Sequence, residues 1–379
     1  MSQRPLSRRL LSRRLLTRRR LSRRVRHPSE AAVAPRKPVP APAPSPTPLA
    51  GRDALLLDLD GVVYAGPGAI PHAVESITRA AQSLRVGYIT NNASRTDESV
   101  AEHLRGFGLA VEAGDVVTSP QAAVRILATL VDPGALILVV GGDGLVTEVE
   151  AAGFRITRSA DDHPAAVIQG FAPHVGWEHL AEASFALHTG IPWVATNTDW
   201  TIPVARGIAP GNGTLVSAVH LAVGRLPVFA GKPETAIFDV ASERFGATNP
   251  LVVGDRLDTD IMGGKRAGLA TALVLTGIDR AKQVLAAPAT MQPDFILGDL
   301  RELFEPYPAA EIDVDADGVR TASVGHAVVR MKQHVVRVAR AGADPLDLLR
   351  AGAAVIYASG LQIYGLDVDE QLMQLAVSS

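Results

Sequence analysis

From Leu49 to about Phe304 the chain alternates short apolar runs with stretches whose apolar residues recur every three or four positions. Runs such as "ALLL" at 54–57, bounded by turn residues, have the continuous apolar character of strands buried on both faces. The periodic stretches between them read as amphipathic helices. The first series is "ALLLDL", a helix over about 72–84, "VGYIT", a helix over about 97–107, and "DVVTS" leading into a helix that ends near Leu130. A second series starts at "ALILVVGGDG" and passes through "FRIT", "AAVIQG", "WEHLAEASFALH" and "PWVATN" to "GNGTLVSAVHLAVG". "PVFAGKPETAIFDVASERF", "NPLVVGDRLDTDI" and "TALVL" then resume the first pattern. This order predicts an α/β fold: a Rossmann-like parallel-sheet core, residues 51–129 and 227–305, with a second α/β unit inserted at 130–226. After "EPYPAA" the signals weaken, and residues 306–379 are expected to form a small α+β appendage.

Composition changes the picture mainly at the N-terminus. Residues 1–50 hold 12 Arg and Lys37 against Glu30, a charge of +12 within a total of -2, so the remainder carries -14. The repeat "LSRRLLSRRLLTRRRLSRR" and the linker "PRKPVPAPAPSPTPLA" read as a disordered extension, with nucleic acid or acidic lipid as the partners its arginines would suit. Arginine interrupts every apolar pair there, which excludes a signal-peptide core, and no later stretch reaches the apolar length of a membrane span. The chain has no cysteine, which excludes disulfides, thiol nucleophiles and cysteine zinc sites, and a reducing, cytoplasmic setting is expected. Aromatics at 4% argue against a base-stacking platform.

Four polar clusters fall at the C-terminal ends of predicted strands, where open α/β sheets place their sites. "DLDG" at 58–61 puts Asp58 directly after a buried run and Asp60 two residues on. Two carboxylates at a dry strand end repel each other and lose hydration, so something positive is expected between them. "ITNN" places Thr90, Asn91 and Asn92 at another strand end, where hydroxyl and amide donors suit phosphoryl oxygens or an ordinary turn. "GKP" at 231–233 sets Lys232 ahead of a helix whose N-terminus would add positive dipole. "VVGDRLDTDI" ends an apolar run at Asp255 and follows it with Asp260, while Asp258 reads as a helix-start acid.

In this order and spacing the four clusters resemble the haloacid dehalogenase-like phosphatases, in the subgroup whose α/β cap (type IIA) is inserted between the second and third motifs. The resemblance covers about residues 53–305; with its length and C-terminal segment the chain looks most similar to the glycerol 3-phosphate phosphatases of that subgroup. It implies that Asp58 is the nucleophile, taking the phosphoryl group as an aspartyl phosphate, and that Asp60 is the acid to the leaving alkoxide and then the base for water. It implies Mg²⁺ as cofactor, held by the Asp58 carboxylate, the Asp60 backbone carbonyl and Asp255, with Asp260 in support. Thr90, the Asn91 and Asn92 backbone and Lys232 would bind the phosphoryl oxygens. A dehalogenase has no leaving alkoxide to protonate, so the presence of Asp60 favours phosphoryl transfer. A catalytically idle binding protein is disfavoured by the same pair of acids.

The inserted unit would be the cap that selects the leaving group. "ATNTDWTIP" places Asn197, Asp199 and Trp200 at a strand end, and these three are candidate specificity residues or, equally, turn and cap chemistry. Asn197 and Asp199 suit the hydroxyls of a small polyol phosphate, glycerol 3-phosphate first. Trp200 would suit an aromatic ester such as pyridoxal phosphate. "GGDG" at 141–144 fails the dinucleotide spacing, because Val146 and Thr147 follow Gly144, and it reads as a tight turn. "DVDADG" at 313–318 fails as a calcium loop, because position twelve is Val324, and it reads as a strand turn at Asp317-Gly318. "DPLDLLRAGAAVIYASG" reads as a capped helix, with docking or homo-oligomer formation the expected role of its segment. A small-molecule phosphate ester is the expected partner of the whole.

Overall fold

The run Ala54–Leu57 forms an inner strand of a six-stranded, all-parallel sheet in a computed structural model that describes residues 45–204 and 206–375. The arginine-rich tail and the partners expected of it lie outside the described residues. All four side chains of the strand are fully buried, since both faces of the sheet are covered. Leu55 and Leu57 enter one apolar cluster with Val86, Tyr88, Leu251 and Val253, while Leu56 enters the opposite cluster with Ile89 and Val252. Neighbouring side chains of a strand point to opposite faces, so an unbroken "ALLL" is what two covered faces require.

Across the sheet the strands run Phe295–Leu297, Ala270–Val274, Leu251–Gly254, Ala54–Leu57, Arg85–Thr90, Val116–Thr118. From Ala54–Leu57 the chain first steps outward in one direction and, after the insert, resumes on the other side. That reversal at Ala54–Leu57 and Leu251–Gly254 opens a crevice beyond the carboxyl ends of the strands, where sites form in such sheets. Asp58, Thr90 and Asp255 all lie at this edge.

The insert is a second parallel sheet of five strands, in the order Val228–Phe229, Trp193–Ala195, Ala166–Gln169, Leu136–Val140, Arg155–Thr157. It is flanked by the helices Asp143–Ala151, Trp177–Leu187 and Asn212–Val223, and carries a hairpin, Thr201–Val204 with Gly207–Pro210. Its far boundary differs from the one expected at 227. Val228–Phe229 pairs with Trp193–Ala195, and the ladder continues as Ala230 N donates to Ala195 O at 3.1 Å and Gly231 N to Thr196 O at 2.7 Å. A two-residue apolar strand carries too little pattern to show which sheet it joins. Lys232 therefore leaves directly from the edge of the cap sheet, not from a strand of the core. The helix Ser119–Leu127 brings Ala122, Ala123, Val124 and Leu127 into a cluster with Ile137, Val139 and Val194 of the cap and Leu56, Ile89 and Ile237 of the core.

The C-terminal segment is α+β, as expected: a sheet of Glu311–Val314, Val319–Val324, Ala327–Lys332, Val335–Arg340 and Asp367–Val368, packed on the helix Pro345–Tyr357. Asp344 caps that helix, accepting from Leu346 N at 2.9 Å, and Gly318 takes φ 75° in the turn after Asp315. The segment shares its interior with the core. Ala322, Val329, Leu349 and Ile356 share one buried cluster with Leu257, Ile261, Leu273, Val284 and Leu285 of the catalytic core. The buried Arg350 crosses the seam, donating from Nε and Nη2 to Ile296 O at 3.0 and 2.8 Å and pairing with Glu302 and Asp347. No helix among the described residues is long and apolar enough to cross a membrane.

Candidate active site

Asp58 follows its strand immediately, and its backbone N donates to Val253 O at 2.9 Å, fixing it at the sheet edge. The positive side chain against Asp58 is Lys232, and it lies between Asp58 and Asp260, not between Asp58 and Asp60. Its ammonium, 4% exposed, pairs with Asp58 Oδ1, with Asp260 Oδ1 at 2.7 Å and with the Ile89 carbonyl at 3.3 Å. Burial works against the lysine's charge, but Asp260 and Asp58 together hold its pKa above the ordinary value. Burial, with Asp260 and Asp255 adding repulsion, raises Asp58 well above the usual carboxylate range despite the lysine. The Asp58 side chain keeps 14% of its surface open, which leaves one path by which a reacting group reaches it.

Asp255, 2% exposed, ends the adjacent strand. Its Oδ2 accepts from Ile278 N at 2.6 Å, and its carbonyl accepts from Asp279 N at 3.1 Å. Burial and then the neighbouring Asp260 push its pKa up to about 7. Asp260 lies in the wide helical turn Leu257–Ile261, bonded to Lys232 through Oδ1 and accepting at Oδ2 from Arg256 N at 3.2 Å and Thr259 Oγ1 at 3.3 Å. Carboxylate oxygens of Asp58, Asp255 and Asp260 all lie within 4.8 Å of one another. Both Asp260 oxygens carry protein hydrogen bonds, while Asp58 Oδ2 and Asp255 Oδ1 have none among the described residues. Asp258, expected to be a helix-start acid, sits in the same turn in a two-bond ion pair with Arg256, at 3.0 and 2.9 Å.

Asp60 differs from the opening picture of two dry carboxylates, since only Asp58 is enclosed. Asp60 is solvent-exposed, and its Oδ2 accepts from the Tyr64 hydroxyl at 3.3 Å. Desolvation by the atoms around it still raises its pKa, with Tyr64 pulling the other way. Thr90, 4% exposed, spends an acceptor on Asn92 N at 3.1 Å, which leaves its hydroxyl proton available. The Asn92 N–H is thus engaged in a local turn, and the Asn92 side chain accepts from Ser94, so the expected backbone donation from Asn92 is not set up.

The cap residues separate into different roles. Asn197 is buried; its amide donates to Asn91 O at 2.7 Å and its Oδ1 accepts from Asp199 N at 3.2 Å. Both ends of its carboxamide are thus engaged in shaping the loop. Asp199 reaches the core, accepting from Asn91 Nδ2 at 3.1 Å, and burial raises its pKa. Trp200 is 65% exposed. Sequence reasoning passed over Gly277 and Asp279, which follow the neighbouring apolar run "TALVL" as "TGID": Gly277 leaves room for the Asp255 carboxylate, and Asp279 bonds the Asp255 carbonyl and the Leu257 amide. Their position after that run was the available signal. It also passed over Ser119, fully buried, whose hydroxyl donates to Asn91 O at 2.8 Å.

An acid at the end of the central strand, a buried lysine against it and two acids on the next strand's turn define a class. A haloacid dehalogenase-like hydrolase model matches residues 55–155 and a second model, HAD-hydrolase-like, matches 229–303. The chain belongs to the haloacid dehalogenase-like hydrolases, and is a phosphatase, a phosphoric monoester hydrolase, of that family. It is 42% identical over 281 residues to the D-glycerol 3-phosphate phosphatase of Mycobacterium tuberculosis, covering 72% of this chain and 79% of that protein. It is 36% identical over 252 residues to the acid sugar phosphatase of Staphylococcus aureus, covering 66% and 95%. Among solved structures, the glycerol phosphate phosphatase of M. tuberculosis in complex with magnesium superposes with a TM-score of 0.75 at 37% identity, over 87% of this chain and 99% of that one. The p-nitrophenyl phosphatase from Archaeoglobus fulgidus gives 0.62 at 29%, over 67% and 98%.

Proposed function

We propose that the protein hydrolyses the phosphate monoester of a small polyol, glycerol 3-phosphate first, through an aspartyl phosphate on Asp58. The observation that carries this reading is the Asp58–Lys232–Asp260 arrangement at the strand edge, with Asp199 of the cap drawn to the same place by Asn91. An Asp58 oxygen attacks phosphorus as the ester P–O bond breaks, and Asp60 gives its proton to the departing alkoxide. Water then attacks phosphorus, Asp60 takes its proton, the acyl phosphate P–O bond breaks, and Asp58 returns as carboxylate with inorganic phosphate released. The raised pKa of Asp60 suits a group that must begin protonated. Lys232 and the Thr90 hydroxyl lie where they stabilise the oxygens of the transferring group.

The donor set fits Mg²⁺: three carboxylates within 4.8 Å share a single ammonium, and all the donors are oxygens. Asp58 Oδ2 and Asp255 Oδ1, without bonds among the described residues, would hold the ion together with the Asp60 carbonyl, and Asp260 would hold Lys232. When bound, the ion neutralises the surplus charge of the acids and of the phosphoryl oxygens.

A polyol is supported by the relatives named above and by Asp199, an acceptor for hydroxyls that repels a second anionic group. A cytoplasmic setting goes with that substrate class. Exposed Trp200, beside Asp199, is the feature that would favour an aromatic ester. Phosphate release is measured across glycerol 3-phosphate, phosphoglycolate, pyridoxal phosphate and 4-nitrophenyl phosphate, in the parent and in Asp58→Asn. The expected result is highest kcat/KM for glycerol 3-phosphate, loss of all turnover in Asp58→Asn, and loss of activity with EDTA that Mg²⁺ reverses. Turnover by Asp58→Asn would end the mechanism. A preference for pyridoxal phosphate, weakened by Trp200→Ala and unmoved by Asp199→Ala, would replace the substrate alone.

A further inference from the structure

Asn91 makes more contacts across the molecule than a phosphate-binding residue requires. Its Oδ1 accepts from Lys232 N at 2.8 Å, and its Nδ2 donates both to Lys232 O and to Asp199 Oδ1, each at 3.1 Å. Its carbonyl accepts from Ser119 Oγ at 2.8 Å and from Asn197 Nδ2 at 2.7 Å. A single residue of the core thus grips the main chain of Lys232, one side chain of the cap that faces the site, and a second that shapes the same cap loop. An independent feature marks the same contact. A Cβ on Gly231 would stand 2.5 Å from Asn91 Oδ1 and 2.5 Å from Thr196 O, so residue 231 has no side chain where the asparagine presses in. Gly231 is also the last rung of the cap ladder, its N–H bonded to Thr196 O.

From these bonds we infer that the Asn91 side chain is a positioning residue that locks the cap loop carrying Asp199 to the catalytic lysine, so that leaving-group recognition and the hold on the phosphoryl group are set as one unit. A carboxamide suits the task because it offers an acceptor and two donors in one plane. Those three functions match the Lys232 N–H, the Lys232 carbonyl and the Asp199 carboxylate, and neither aspartate nor serine supplies all of them. The helix Ser119–Leu127 packs against both sheets and holds the cap in register, and the Asn91 bonds fix the loop at the site itself. The inference rests on the phosphatase reading, and its test separates the two.

The test is a double-mutant cycle on Asn91→Ala and Asp199→Ala, read as the ratio of kcat/KM for glycerol 3-phosphate to that for acetyl phosphate, whose leaving group has no hydroxyls for the cap. Each single variant should lower the ratio by roughly tenfold, about the effect of one hydrogen bond to a charged group. The double variant should be no worse than Asn91→Ala, because the two residues act through one bond. Gly231→Ala, which presses on both the carboxamide and the Thr196 carbonyl, should lower the ratio at least as far as Asn91→Ala. Hydrogen exchange of the amides at 198–201 should quicken in both Asn91→Ala and Gly231→Ala, a change across the cap that a purely local role would not produce. Ratios that multiply in the double variant, or amide exchange at 198–201 unchanged from the parent, overturn the lock. A parent that releases phosphate from neither ester overturns the phosphatase reading instead, and the exchange measurement still decides the lock.

Discussion

Replacing Lys232 with methionine removes one ammonium and leaves Asp58 and Asp260 facing each other in a nearly dry pocket. The side chain is 4% exposed and pairs with both carboxylates, so the substitution strands two acids rather than one. Breaking a buried pair by deleting one partner costs about 3–5 kcal/mol, and methionine keeps most of the packing volume. At roughly 2–4 °C per kcal/mol for a large domain, the midpoint of thermal unfolding should fall by about 6–20 °C. Loss of the cation that faces the phosphoryl oxygens should separately cost about 10²–10³ in kcat. The two effects are told apart by unfolding followed by circular dichroism in EDTA, and by phosphate release at a temperature where the variant is fully folded. The penalty should also shrink at pH 5. Asp58 has a raised pKa even with the lysine present, and without that cation it takes up a proton more readily. A variant with the parental midpoint at both pH 5 and pH 8, or with kcat within tenfold of the parent, would refute the assigned role of the buried ammonium.

In the metal-free parent, burial raises the pKa values of Asp58 and Asp255, the latter to about 7, so between about pH 4 and 7 the folded chain holds protons that the unfolded chain has lost. Stability should therefore fall as pH rises through that window, and Asp255→Asn should flatten the slope; a midpoint in EDTA that climbs from pH 5 to pH 8 contradicts this. Gly277→Ala would set a methyl 1.9 Å from Asp255 Oδ2, so the acid must move. The Mg²⁺ concentration for half-maximal activity should rise at least tenfold, and an unchanged metal requirement would be the contrary result. Arg350→Met breaks the buried seam contacts and should destabilise by about 3–5 kcal/mol in urea unfolding. Its kcat in the folded state should stay near the parent's, and a lowered kcat with parental stability would show that the seam acts on chemistry.

The parts most legible in the sequence were those whose signal is local. Short apolar runs predicted five of the six core strands, Phe295–Leu297 being the one not singled out, and a polar residue at the end of the run predicted the site edge, as at Asp58, Thr90 and Asp255. What escaped was set by tertiary partners. Val228–Phe229 is too short to declare its sheet, and Lys232 consequently enters the site from the cap side. Asn197 stayed open between a ligand-facing amide and turn chemistry because nothing local revealed that Asn91 O and Asp199 N would engage it. The weak patterning after residue 305 reflected a segment that completes its core with residues such as Val284 and Leu285, far upstream in sequence.

That shared interior has a consequence for how the protein is inherited and handled. The A. fulgidus phosphatase matches 67% of this chain over 98% of its own length, so its share lacks a counterpart for a large part of the molecule. In this chain the surface between the core and residues 306–375 is apolar: Leu285, Val284 and Ile261 share a cluster with Leu349, Ile356 and Leu372, and the Tyr357 hydroxyl donates to Val284 O at 2.5 Å. Recombination at the end of the core would therefore expose a hydrophobic wall on one product and leave a half-finished interior on the other. A chain cut at residue 305 should stay in solution only if the apolar side chains left on the core are replaced by polar ones.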